Sequence, residues 1–238
     1  MVIMVYSNHE HDTLRKSRLS CISYHLPDTN LSQIIIKEQS NMNIKKELET
    51  KVGPAGNMHL NNIDLDPLTI KAFMINEVVP ADPLQDFYGI PEADYLKTTI
   101  PLFQGAGAEV TSMQDILQMG IYITNAVKTP KTEYAIDRSS IDKSLPYLEA
   151  ELSLFPNIKV IMLMGDVARK AFNLIAKKAT GKNAIPAVST YKLRNSEIYY
   201  KGIRVMPSYI MTGGNILIEK SKVTMATEDI AAMLTMIR

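Results

Sequence analysis

From Ile70 onward, apolar and polar positions alternate with two different spacings, and each spacing predicts an element. "IKAFMI" (70–75) and "IYITNAV" (121–127) are short apolar runs rich in β-formers, which is the pattern of strands. "NIKVIMLMG" (157–165) is apolar almost throughout, as expected of a strand covered on both faces. Elsewhere the spacing widens. "SSIDKSLPYLEAELSLF" places Ile141, Leu145, Leu148 and Leu152 on one helical face, and Pro146 within it predicts a kink or a later start. "TSMQDILQMG" reads as a short capped helix ending at Gly120. "DVARKAFNLIAKKA" predicts a helix with Asp166 as N-cap and Val167, Ala171, Leu174 and Ile175 turned inward. "STYKLRNSEIYYKGIRVMPSYI" reads as β-rich with a polar turn near Asn195, and "KVTMATEDIAAMLTMIR" predicts a closing helix.

Strands that alternate with helices imply a mainly parallel sheet with right-handed crossovers. Ligands of such sheets gather beyond the carboxyl ends of the strands. "NEVVP", "TNAVKTP", "GDVA" and "PSYIMTGGN" all fall there. Residues 1–41 lack this patterning and read as an N-terminal appendage. Residues 42–238 read as the α/β domain, opened by the helix-like "MNIKKELETKV".

Composition narrows the chemistry. The single Cys21 can form no internal disulfide and no four-thiolate cluster. No run approaches the roughly 18 apolar residues of a membrane span, and no basic leader precedes a long apolar stretch, so a cytoplasmic setting is expected. Gly-rich phosphate loops are absent, and "HEH" at 9–11 supplies two metal ligands without a placed third, so no metal or organic cofactor is expected. Charge is uneven along the chain. Residues 157–238 hold 13 Lys/Arg against 5 Asp/Glu, whereas residues 1–156 hold 13 against 20. A basic third of this kind attracts phosphates if its charges share a face, and is otherwise an ordinary solvated surface.

One stretch raises a chemical question. In "KAFMINEVVPADPLQDFYG" an apolar strand ends in a carboxamide, Asn76, and a carboxylate, Glu77, before breaking into a proline-rich loop. With "INEVVP" go "PLFQGAG", "YITNAVK" and "VIMLMGDVARKAF". Together, in this order and spacing, these segments resemble the uracil-DNA glycosylase superfamily, most closely its thermophilic bacterial and archaeal branches. The resemblance covers roughly residues 70–222, and "YITNAVK" (122–128) is its most specific piece.

The resemblance implies a three-layer sandwich with a central, mainly parallel four-stranded sheet flanked by helices. It implies an enzyme that flips a damaged base, uracil or a related one, out of DNA and hydrolyses its N-glycosidic bond. By position, Phe103 corresponds to the aromatic that stacks on the extracted base. Asn125 corresponds to the amide that reads the base edge, a task suited to a group that both donates and accepts. Glu77 corresponds to the acidic residue of the first loop, and Asn76 is similar to the asparagine of the mismatch-specific branch; either would orient the attacking water.

The sequence departs from the family at the last motif. Its histidine, which hydrogen-bonds the developing base anion, is replaced in "SYIMTGGN" by Ile210, with Met211 in the place of the proline. Loss of one such donor typically costs about 10²–10³ in rate. Thr212 and the backbone of Gly213 and Gly214 are the candidate substitutes. After them come Asn215, a further candidate DNA contact, then Ile216, Leu217 and Ile218 as an apolar wedge for the space a flipped base leaves, and Lys220 and Lys222 for phosphate contacts; the same residues equally suit a helix entry packed on the core. The missing histidine also keeps a second reading open, a non-catalytic or repurposed nucleic-acid- or nucleobase-binding member of the same fold.

Overall fold

The structure, a computed structural model, describes residues 41–133, 135–213, 216 and 218–238. The appendage at 1–41, with "HEH" and Cys21, falls outside these residues except for Asn41.

Five strands form the main sheet: β3 (Ala72–Val78), β4 (Ile121–Val127), β5 (Val160–Met164), β6 (Ile198–Tyr200) and β7 (Ile203–Ser208), in the order β4-β3-β5-β7-β6. A small antiparallel pair, β1 (Met42–Asn43) and β2 (Asp64–Leu65), lies apart from it. β4, β3, β5 and β7 pair in parallel, and β6 pairs antiparallel with β7 at one edge. The sheet therefore has one strand more than expected. The extra strand arises because the tight turn falls at Lys201–Gly202, with φ of 50° and 82°, and not near Asn195. Two consecutive positive φ values make the two-residue turn that matches strand twist, and Gly202 supplies one of them without strain. The residues around Asn195 instead follow the short helix α6 (Thr190–Leu193).

Side-chain alternation along the strands divides the core into two layers. Phe73, Ile75, Tyr122, Ile161 and Leu163 face one layer, together with Leu148 of α4 (Arg138–Ser153) and Phe172 of α5 (Asp166–Thr180). Ala72, Met74, Ile123, Met162 and Met206 face the other. That second layer is built by α2 (Asp94–Gly105), α3 (Met113–Gln118) and α7 (Lys220–Ile237). Helix α1 (Ile44–Val52) packs beside α4. The result is helix, sheet, helix, a mainly parallel sheet flanked on both faces.

Two helices differ in detail from their sequence patterns. Pro146 lies within α4 without ending it, at an exposed position of the helix. The N-cap of α5 is Gly165 at φ 107°, which moves Asp166 to the first helical position, where it pairs with Arg169. The predicted inward set of α5 also shifts: Phe172 is fully buried, whereas Val167 and Leu174 are half-buried.

β4 is an edge strand, and edges of this kind need covering. Ile123 N–H donates to the Tyr88 hydroxyl at 3.1 Å, and Ile123 C=O accepts from Asn61 Nδ2 at 3.1 Å. Among the described residues no helix is long and apolar enough to cross a membrane.

Candidate active site

The site grows out of strand register. Asn76 and Asn125 are paired positions on β3 and β4, two residues from the end of each strand, and both point toward the α2–α7 layer. Their amides meet: Asn76 Nδ2 donates to Asn125 Oδ1 at 2.9 Å. Thr212, four residues past the end of β7, donates its hydroxyl to Asn76 Oδ1 at 3.2 Å. Asn125 Nδ2 in turn donates to Asp86 Oδ2 at 2.7 Å. All four residues are buried. Hydrogen bonds thus run in one direction, from the Thr212 hydroxyl through two amides to a carboxylate. The carboxylate fixes the sense, since an ionised acid only accepts.

Asp86 belongs to the turn after the short 3₁₀ segment Pro83–Gln85, and its other oxygen accepts the Phe87 N–H at 2.9 Å. Burial pushes its pKa up to about 6, against the lowering effect of the bonds from Asn125 and Phe87 and of the Lys128 charge. Two rings close over this corner. Phe87 and Tyr95 lie 5.2 Å apart, and the Tyr95 hydroxyl donates to Val78 C=O at 2.7 Å. Burial, then the charge of Asp86, raises the Tyr95 phenol, and Glu77 adds to the effect. Neither Asp86 nor Tyr95 stood out in the sequence.

Glu77 follows Asn76 and so points to the opposite face of the sheet. It is half-buried against the start of α5, where its Oε1 accepts Val167 N–H at 3.0 Å. Gly165 makes room for it: a Cβ there would stand 2.4 Å from Glu77 Oε1. Burial raises the Glu77 carboxyl, partly offset by the Val167 N–H. A cleft of about 430 Å³ opens beyond the carboxyl ends of β3 and β4, bordered by Val78, Val127, Thr129, Lys131 and Lys143.

The remaining candidates lie elsewhere. Phe103 is 0 % exposed, packed within α2's apolar layer with Leu102, Met113 and Ile116. It belongs to the same layer as Phe87 and joins none of the polar contacts above. Gly213 is exposed at φ 88°; Gly214, Asn215 and Leu217 lie outside the described residues. Ile216 is 2 % exposed and points into the core, whereas Ile218 is 79 % exposed. Lys220 is exposed at the start of α7, and Lys222 pairs with Glu219 and stands over the Tyr209 ring at 5.9 Å. Ile210, in the place of the family histidine, is half-buried, and Met211 is fully buried.

Beneath the site, on the other face of β4, a second polar cluster is sealed in the core. Lys128 pairs with Glu151 of α4, and the same carboxylate accepts from the hydroxyls of Tyr122 and Thr124. Asn61 Nδ2 completes it, donating to Tyr122 at 2.7 Å. The most specific motif of the sequence, "YITNAVK", therefore serves two purposes on alternating faces. Tyr122, Thr124 and Lys128 anchor α4, and Asn125 joins the site.

No curated protein matches the chain. The family model of the Uracil DNA glycosylase superfamily matches residues 81–214, a span that begins just past Glu77 and contains Asp86, Tyr95, Phe103, Asn125 and Thr212. With more than half of its length matched, and its sheet and helices layered in that fold, the chain belongs to the uracil-DNA glycosylase superfamily.

Proposed function

We propose that the protein is a DNA glycosylase that extrudes a damaged base, uracil or a related one, and hydrolyses its N-glycosidic bond. One observation carries this reading. Asn125, within the matched family span, stands at the carboxyl edge of a parallel sheet with its amide held at both ends. Each bond leaves the amide one further N–H and one further lone pair, which a base edge can use. Ring recognition there falls to Asn125, with Asn76 and Thr212 behind it.

The roles of the two catalytic candidates separate. Asn76 is assigned to positioning, as the bridge between Thr212 and Asn125. Glu77 is half-exposed with a raised carboxyl, which makes it the stronger base for orienting water toward the sugar carbon. Because Phe103 is sealed in the core, as is Phe87 at 1 % exposed, the half-buried ring of Tyr95 is the better-placed stacking surface. Asn125 itself is 2 % exposed, so a base reaches it only once the packing around it opens, with the Asp86 bond kept. DNA contacts are assigned to the segment from Gly213 to Lys222, with the exposed Ile218 as the apolar residue nearest the duplex.

The test is a strand-cleavage gel assay on duplexes containing uracil, hypoxanthine or a mismatch, with Asn125→Ala and Glu77→Ala as controls. Excision by the wild type that both substitutions abolish supports the proposal. Excision untouched by both refutes these roles. Ile210, which has no donor for a base anion, favours a second reading in which the base is bound without cleavage. Salt-sensitive binding of uracil-containing DNA without product, lost in Asn125→Ala, would select it.

A further inference from the structure

We propose that Asp86 is the positioning residue that sets which hydrogen-bonding pattern Asn125 presents, so that the site selects a ring N–H beside a carbonyl and rejects a bare ring nitrogen beside an amino group. The inference rests on the reading of Asn125 as the base-contacting amide.

A carboxamide is nearly symmetric in shape and opposite in polarity at its two ends. Turned over, it would offer a donor where it had offered an acceptor and would read cytosine as readily as uracil. Something must fix its sense. Asn76 cannot do so alone, because its own amide can turn over in step, and Thr212 behind it is a hydroxyl that both donates and accepts. Asp86 is the one member of the chain whose charged form has no proton to give. At 2.7 Å from Asn125 Nδ2 and 1 % exposed, it holds the nitrogen end and so orders the entire relay back to Thr212. Its own place is fixed by the Phe87 N–H.

Protonation would remove this bias, because a carboxylic acid can donate to Asn125 Oδ1 and let both amides turn. The charged and titratable groups around Asp86 are Lys128 at the end of β4, Glu151 of α4, and Tyr88 and Tyr95 beside the turn. Of these, only Lys128 favours its ionised form.

The experiment compares full-length wild type, Asp86→Asn and Asn125→Ala on duplexes carrying a single uracil or a single cytosine opposite guanine. It reads the uracil-to-cytosine ratio of binding and, where product forms, of excision. The wild-type ratio is expected to be high at about pH 8 and to fall as pH is lowered to about 5.5, through the range where Asp86 takes up its proton. Asp86→Asn, which matches the shape but can donate, is expected to lower the ratio roughly tenfold or more at the higher pH and to flatten its pH profile.

An Asp86→Asn protein that keeps the wild-type ratio and profile overturns the inference. If that variant does not fold, the wild-type profile decides, and a flat one overturns it. If the wild type shows no preference, or Asn125→Ala keeps it, the reading of Asn125 fails and takes this one with it. A preference that depends on Asn125 but not on Asp86 removes the role of Asp86 alone.

Discussion

Asn76 and Asn125 are register partners on adjacent parallel strands, and their side-chain amides bond at 2.9 Å. Backbone pairing thus delivers both amides to one height above the sheet. Asn76→Ala would leave Asn125 Oδ1 and the Thr212 hydroxyl without their partner in a dry site. The expected cost is about 1–3 kcal/mol of stability. Chemical denaturation measures it, and a larger proportional loss of excision than of stability would mark the positioning role.

The buried Lys128–Glu151 pair gives a second expectation. Lys128→Met strands the Glu151 carboxylate in the core and should cost about 3–5 kcal/mol. Lys128→Met combined with Glu151→Leu should recover part of that loss, because no unpaired charge remains. A double variant no more stable than the single one would contradict this account of the cluster.

Gly165 is required for two separate reasons, its φ of 107° and the 2.4 Å approach of Glu77 to the position of a Cβ. Gly165→Ala is expected to cost about 1–3 kcal/mol and to displace the Glu77 carboxylate. Its excision rate should fall as far as that of Glu77→Gln. A Gly165→Ala protein with normal activity would show that Glu77 need not lie where it does.

Stability should carry the signature of Asp86. Its native pKa of about 6 lies above the ordinary 3.8, so the native state binds the proton more tightly than the unfolded chain. That contribution is fully present below about pH 4 and is lost as pH rises through about 6, amounting to roughly 3 kcal/mol. The difference in unfolding free energy between Asp86→Asn and wild type should therefore move in favour of the variant over that interval. A difference independent of pH would mean that Asp86 stays ionised throughout.

Ile218 offers a test at the surface. Ile218→Ser removes an exposed apolar side chain and should leave the melting temperature unchanged within the usual range for surface substitutions. If this segment meets DNA, affinity for duplex falls in a fluorescence anisotropy titration; unchanged affinity would place the contact elsewhere.

The strands of the sheet's centre were legible because both of their faces are covered, so each reads as an unbroken apolar run. The edge strand β6 was not legible. Tyr199 is exposed between buried Ile198 and Tyr200, and three residues are too few to show a period. Asn195 also competes as the more usual turn former, whereas the turn chosen needs Gly202. In the site, Asn76 was visible as a carboxamide at a strand end, and Asn125 and Thr212 were visible through the resemblance of "YITNAVK" and of the last motif. Asp86 was not, because an acid in "PLQDFYG" reads as solvated. Its burial depends on a partner 39 residues away, and no local pattern records that.

The members of the amide relay are separated along the chain by 39, 49 and 136 residues. Each link closes a loop, and the last cannot close before β7 has docked. During synthesis, then, a growing polypeptide that has already laid down its first two parallel strands still lacks the corner of the pocket that Thr212 completes. Whatever chemistry occurs there begins only when folding ends, and no proteolytic fragment lacking the C-terminal quarter can retain it.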